Sequence, residues 1–372
     1  MKRIILLLLF IPVFSFAESM YSPTWGFFID LPEGYEIADG DGKDRFTFLG
    51  PEGLMFDLVV YNGRYNTISD MINDVNKRIS NRGDIDLFEY NGKKAAVLKL
   101  TFGDYSGWGF AVELESKTAL PVYLIALSYC AANRNDLELF HISALDSISP
   151  SEAERRYPGP IMDYSFPRGE SKNVPLSVRG LNAVIRENDA EASQFLIERE
   201  FKILQAYLNT NLIQAASVRY YRIIYRDSFD RIANAVSVIA RHFGGNTAVS
   251  DAQKREFAQR TLSYVQNFNY ERDLSGSDFI NLVTAIVEGR GDCDSRAMLF
   301  AIILAKSDIR SAIMLSHHYS HAMGLADIAG NGARFEAYGT QFLVAETTAN
   351  INIGLIDQQQ SNPQHWFAVV FE

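Results

Sequence analysis

Positive charge is in short supply: 35 Lys and Arg stand against 45 Asp and Glu, a formal net charge of −10 over 372 residues. Nucleic acid is bound largely by cations that neutralise its phosphates, so this balance excludes it as the natural partner. Cysteine is scarcer still, with only Cys130 and Cys293. Two cysteines make no disulfide framework, and the absence of a paired-cysteine spacing or a helical His-Glu-x-x-His excludes the common zinc arrangements. Cys130 falls in an apolar segment far along the chain from Cys293, and both are expected as free thiols. Long apolar runs are also missing. The run from Ile4 to Phe16 is about 13 residues, short of the roughly 20 that span a bilayer. No cysteine stands directly after the expected cleavage point at Ala17, so no lipid anchor is implied.

That run is preceded by Lys2 and Arg3 and closed by Ser15-Phe16-Ala17, with small residues at the −3 and −1 positions. This is the pattern of a secretory signal peptide over residues 1–17, and it implies an exported protein, periplasmic or extracellular. Its removal with Lys2 and Arg3 takes the formal net charge from −10 to −12. Peptides, proteins or cell-wall amides remain as partner classes. No cofactor-binding motif is present, and the two Arg-Gly-Asp tripeptides, at 82–84 and 290–292, are no more than chance supplies.

Residues 22–148 read as a small α+β unit. Strands at 45–49 and 54–61 flank Gly50-Pro51-Glu52-Gly53, and Ile68, Met71, Ile72, Val75 and Ile79 share one helical face behind a capping Thr67 or Ser69. Asn91-Gly92 marks a hairpin between 86–90 and 94–102, strands at 109–114 and 122–130 follow, and 135–147 closes as a helix. This order, with the opening Leu31-Pro32-Glu33-Gly34-Tyr35, resembles the PsbP/Mog1-like domains of exported proteins. The resemblance implies an α/β sandwich-type fold with a binding or targeting role.

Residues 149–174 carry Pro150, Pro158, Gly159, Pro160, Pro167 and Gly169, which predicts a surface linker that neither neighbouring core needs, so that 22–148 folds alone. The third unit, 175–372, opens with helices from 176 to 269. Phe229, Ile232, Ala233, Val236, Ala240 and Phe243 form one stripe stopped by Gly244-Gly245, and Ser250 with Gln253 opens another helix as a capping box. Tyr207, Tyr220, Tyr221 and Tyr225 are read as packing. Strands are predicted at 312–315, 321–328, 333–338, 342–346 and 366–371, with Gly330-Asn331-Gly332 as the hairpin turn between the second and third.

The chemistry gathers at Glu288-Gly289-Arg290-Gly291-Asp292-Cys293-Asp294-Ser295-Arg296-Ala297. The glycines allow a tight turn, Asp292 or Asp294 can cap, and the apolar run from Ala297 to Ala305 continues as a buried helix. Cys293 therefore stands at a helix start, where free N–H groups and the helix dipole favour thiolate, and its pKa is expected below the roughly 8.5 of a free thiol. His321 follows 28 residues later and Glu346 a further 25. A nucleophile, an imidazole that takes and returns its proton, and a carboxylate that fixes the imidazole tautomer are the three groups acyl transfer needs. Asp327, six residues along the strand of His321, is about 20 Å away and cannot serve as that acid. Glu336 is expected to pair near Asp327 or Leu325 across the Gly330 turn. His317, His318 and His321 could otherwise hold a metal with Asp327 or Glu336, but without a metal-binding spacing no metal is assigned.

The Gly289–Ala297 stretch, a histidine opening a strand and a strand ending Glu346-Thr347-Thr348 resemble bacterial transglutaminase-like cysteine proteins of the papain-like fold, over about residues 255–350. Many members carry an aspartate followed by Pro-Thr where Glu346 stands. The resemblance implies an α+β fold overall, with a helical part followed by an antiparallel sheet in 175–372. It also implies Cys293, His321 and Glu346 as catalytic residues, with Asp292 and Tyr270 in support, and a peptidase or amidase more than a crosslinking transglutaminase. The competing class is a binding scaffold on the same fold with a silent triad, for a protein or cell-wall partner.

Overall fold

The computed structural model describes residues 19–272 and 276–371, so the expected signal peptide lies outside the described residues. The first unit is organised by an apolar run. Strand β7 (Val122–Ala131) is buried on both faces from Val122 to Leu127, which places it between two helical layers. Around it lie β1 (Glu36–Gly40), β2 (Arg45–Leu49), β3 (Met55–Asn62), β4 (Ile85–Tyr90), β5 (Lys93–Phe102) and β6 (Tyr105–Leu114), in the order β1-β2-β3-β7-β6-β5-β4. Every neighbouring pair is antiparallel.

Helix α1 (Ile68–Ile79) covers one face with Ile68, Met71, Ile72 and Val75, packed on Leu98, Ala111 and Ile125. Thr67 and Asp70 form a reciprocal capping box at its start. Helix α2 (Glu138–Asp146) covers the other face, where Ala144 and Leu145 meet Phe56, Phe110 and Leu124. Asn91 and Gly92 turn β4 into β5 with φ of 47° and 77°, the left-handed pair a two-residue hairpin requires.

The stretch 149–174 is not the plain linker its prolines predict. Gly159 and Pro160 open α3 (Pro160–Ser165), whose first N–H groups, of Ile161 and Met162, donate to Asp146 Oδ1 at 2.7 and 3.0 Å. Proline at the first helical position fits because its missing N–H would have no partner there. Ile161 joins the first core, and Glu154 is fully buried, bonded to Lys93 Nζ at 2.8 Å and Asn91 Nδ2 at 2.9 Å. Cut at 148, the first unit would lose Ile161 from its core and the covering of Asp146.

The second unit starts with a hairpin where helix is expected from 176: β8 (Ser171–Pro175) pairs with β9 (Asn182–Arg186). Helices α4 (Asp189–Gln205), α5 (Ile213–Arg231), α6 (Ala233–Phe243) and α7 (Asp251–Gln266) follow. The Phe229–Phe243 stripe straddles a break at Ile232, so it belongs to two helices, and Gly244 ends the second at φ 89°. The capping box of Ser250 and Gln253 is in place. Next come α8 (Leu282–Glu288) and α9 (Cys293–Ala305), then strands β10 (Ser311–Ser316), β11 (His321–Ala326), β12 (Arg334–Ala337), β13 (Thr340–Ala345) and β14 (Phe367–Val370).

These strands form an antiparallel sheet in the order β12-β13-β11-β10-β14. Its alternating residues divide cleanly: Ile313, Leu315, Ala322 and Ala326 pack with α9, while Met314, Met323, Leu325 and Phe342 pack with Trp366 on the other face. The expected turn at Gly330-Asn331-Gly332 is not a hairpin between β11 and β12. Strand β13 lies between them, and the tight turn is Tyr338-Gly339, with φ of 48° and 73°. Gly332 instead packs on Gly354, where an added Cβ would come within 2.5 Å of its Cα. Nine α-helices and several antiparallel sheets among the described residues make the fold α+β.

Candidate functional site

The site forms where α9 meets the first residue of β11 and the residue after β13. Helix α8 ends at Gly289, in the left-handed conformation at φ 68°, and the chain turns through Arg290-Gly291 into α9. Asp292 is the N-cap, accepting Ser295 N–H at 2.8 Å and Ser295 Oγ–H at 2.5 Å. Cys293 is thereby the first helical residue, 8% exposed. Asn269-Tyr270 pairs in parallel with Arg290-Gly291, which lays Tyr270 beside this turn, close enough to Cys293 for the two to influence each other's protonation.

Across from the thiol lies Ala322, whose backbone N–H favours the charged form of the sulfur. His321, its neighbour in sequence, opens β11 opposite Ser316. Glu346 stands one residue beyond Ala345, which pairs with Gly324, so two adjacent strands carry the imidazole and the carboxylate. Their contact is His321 Nε2 to Glu346 Oε2 at 2.8 Å. The other carboxylate oxygen accepts Thr348 N–H at 2.7 Å and Thr348 Oγ–H at 2.6 Å, which gives Thr348 a use in orienting the acid. Trp366 sets its ring edge-on to His321, with centroids 6.2 Å apart.

The electrostatics divide the three groups. Burial pushes the Glu346 carboxyl up, but the bonds from His321 and Thr348 outweigh it and hold the group below its ordinary value. Cys293 goes the other way: burial, then the charges of Asp294 and Asp292, push the thiol well above its ordinary value. The expectation of a lowered thiol pKa therefore fails, because the helix start and two backbone donors are outweighed by desolvation and two adjacent carboxyls. Asp292 itself is raised well above its ordinary value by burial and by Asp294, and its Oδ2 has no hydrogen-bond partner. Burial and then the Cys293 charge raise Tyr270 to about 12, so its hydroxyl is a donor at neutral pH.

Arg296, which no sequence motif singles out, ties the site together. It is 2% exposed, and it donates Nε to Gly291 O at 3.1 Å, Nη2 to Phe268 O at 2.6 Å and Nη1 to Thr347 O at 3.4 Å. One guanidinium thus joins the Cys293 turn, the segment entering Tyr270 and the residue after Glu346. Its place one helical turn after Cys293 is the only sequence signal it carried. Tyr221, a packing residue by its sequence pattern, also lies beside Asp294 and favours the charged form of its carboxyl.

The remaining candidates stand apart. Glu336 pairs with Gln341 across β12 and β13, and Asp327 lies past the end of β11, so neither joins His321. His318 stacks on His365 at 4.1 Å and His317 faces Ser217 Oγ at 3.4 Å, so the three histidines diverge. Among the described residues no group of three or more His, Cys, Asp or Glu side chains is placed to hold a metal. Cys130 and Cys293 are unpaired; Cys130 is buried beside His141 Nε2, at 3.2 Å. A cavity of about 300 Å³ beside Asp30, Arg222 and Phe371 has none of the Cys293 site in its lining. No described helix is long and apolar enough to cross a membrane.

No protein-family model matches the chain, and no curated protein matches it. Among solved structures, a PsbP from the cyanobacterium Synechocystis is 13% identical with a TM-score of 0.27, covering 36% of this chain and 91% of that one. A candidate protease from Parabacteroides distasonis is 9% identical with a TM-score of 0.22, covering 81% of this chain and 68% of that one. Likenesses at this level carry no argument about the fold or the function.

Proposed function

We propose that this chain is an exported cysteine acyl-transfer enzyme that hydrolyses peptide or amide bonds. In this reading α6 to α9 and the five-stranded sheet are a transglutaminase-like arrangement of the papain-like fold, and the 22–148 unit is a binding or targeting module of PsbP-like type. The observation that carries the reading is the 2.8 Å contact between His321 Nε2 and Glu346 Oε2, on a strand whose next residue, Ala322, turns its backbone N–H toward the Cys293 thiol and favours its charged form. A histidine held at one nitrogen by a carboxylate has the other, Nδ1, free to take the thiol proton.

The sulfur then attacks the carbonyl carbon, and charge builds on the carbonyl oxygen. The Cys293 N–H and the Tyr270 hydroxyl lie beside the thiol as donors to it. His321 returns the proton to the leaving nitrogen, and water, deprotonated by the same imidazole, resolves the thioester. Water is the only co-reactant this sequence needs, which favours hydrolysis over crosslinking.

A second reading is a binding scaffold with a silent triad, and one observation favours it: Cys293 is buried and its thiol is pushed up. The two separate on a small activated acyl ester, p-nitrophenyl acetate, offered to the protein and to its Cys293→Ala and His321→Ala variants. The enzyme reading expects an acetyl adduct on Cys293 by peptide mass mapping and turnover lost in both variants. No adduct, together with equal hydrolysis in all three proteins, would leave the scaffold.

A further inference from the structure

Asp294 is a second carboxyl beside the nucleophile, and the triad chemistry makes no use of it. Its Oδ1 lies 3.9 Å from the Cys293 sulfur, positioned to accept the S–H. Tyr221, on α5, lies beside the same carboxyl and favours its charged form. The charged groups that face it come from every neighbouring element: His321 from β11, Arg272 and Asp278 from the segment between α7 and α8, and Asp292 from the turn before α9.

This placement opposes an isolated thiolate. A carboxylate in contact with sulfur repels S⁻, and Asp294 follows burial as the next largest influence holding the Cys293 proton on. The same carboxylate attracts an imidazolium at His321. An S⁻ made by loss of a proton to solvent meets the carboxylate uncompensated. When the proton moves to His321 instead, the new positive charge offsets that repulsion.

We propose that Asp294, steered by Tyr221, is a positioning residue that holds Cys293 as a thiol in the resting protein and commits its proton to His321. This rests on the acyl-transfer reading. In the step itself the S–H bond breaks, the proton passes to His321 Nδ1, and the sulfur electron pair forms the bond to the acyl carbon. The imidazolium then stands between two carboxylates until it gives the proton to the leaving nitrogen. The resting site is thus protected against adventitious alkylation and oxidation without losing its attack on an amide.

The test follows iodoacetamide labelling of Cys293 from pH 5 to 9 by peptide mass mapping, in the intact protein and in Asp294→Asn and Tyr221→Phe, with p-nitrophenyl acetate hydrolysis alongside. Asp294→Asn is expected to label roughly tenfold faster at pH 8, the size of one unit of thiol pKa, while hydrolysis falls. The native labelling profile should show a shoulder on the acid side, where Asp294, its carboxyl raised above the ordinary value by burial against the pull of Tyr221, takes up its proton. That shoulder should vanish in Asp294→Asn, and Tyr221→Phe should move labelling in the same direction by less. Unchanged or slower labelling of Cys293 in Asp294→Asn overturns the proposal. If Cys130 becomes labelled in that variant its fold is lost, and Tyr221→Phe then decides on the same criterion. Faster labelling in Asp294→Asn with no Cys293-dependent hydrolysis in the native protein would keep the restraint on the thiol and overturn the acyl-transfer reading.

Discussion

Glu346 has one bond to its function and two to its support. Oε2 meets the imidazole while Oε1 is held by both donors of Thr348, so the side chain has little freedom left. Glu346→Gln should preserve this packing but replace one carboxylate oxygen with an amide donor, so the imidazole loses the charge that stabilises its protonated form. Turnover is expected to fall by roughly 10²–10⁴-fold. Labelling of Cys293 by iodoacetamide should stay within about twofold, because the thiol is governed by burial and the Asp292 and Asp294 carboxyls. Steady-state rates and labelling on one preparation check this. Undiminished turnover in Glu346→Gln beside an inactive His321→Ala would remove Glu346 from the mechanism.

At the scale of elements, the site depends on how closely α9 approaches β11. Gly324 makes that approach possible: a Cβ there would come within 2.5 Å of Phe300 Cδ1, in a helix whose residues from Ala297 to Ile303 are at most 1% exposed. Gly324→Val forces the strand that carries His321 away from the helix that carries Cys293. The expected loss is about 1–3 kcal/mol, read as a lower Tm, with turnover falling more than stability alone explains. A second change, Phe300→Leu, should restore part of both by making room on the helix side. A Gly324→Val protein with native Tm and rate would mean that the two elements have slack the geometry does not show.

Across the whole molecule, the two units meet through arginines of α4 and α5. Arg222 forks onto Asp30 at 2.7 and 3.0 Å, and Arg219 donates to Asp30 O at 2.7 Å and Glu200 at 3.0 Å. Arg226 reaches the carbonyls of Asp146, Ile148, Glu154 and Tyr157, and Arg199 pairs with Asp146. Glu33 sits in this junction, 6% exposed with Oε1 unbonded, and burial raises it to about 7 against the pull of Arg219. A carboxyl whose folded pKa is raised binds more protons folded than unfolded, so stability falls as pH rises from about 4.5 through 7 and levels above that. Glu33→Gln removes this dependence. It should raise stability at pH 8 by roughly 2–3 kcal/mol and leave pH 4.5 nearly unchanged, as read by denaturant unfolding at both values. A variant less stable at pH 8 would show that the Glu33 charge is compensated by the arginines.

Local patterns were legible without the structure because they depend on neighbours along the chain. The Thr67 and Ser250 caps, the Asn91-Gly92 turn, the helix beginning at Cys293 and the strand opening at His321 all follow from side chains within a few residues of one another. The break at Ile232 and the helix at Pro160 were hidden because an apolar stripe runs through the first and prolines suggest a loop at the second. What only tertiary structure decided is which strands are neighbours and which charges share a space. Strand β13 inserts between β11 and β12, which brings Glu346 to His321 and leaves Glu336 against Gln341. The α9 start offers a thiolate its dipole, yet burial and the carboxyls of Asp292 and Asp294 decide the thiol's protonation. Sequence spacing sets the helix field at Cys293, but desolvation and through-space charge are set by what the fold packs around it, and here they are larger.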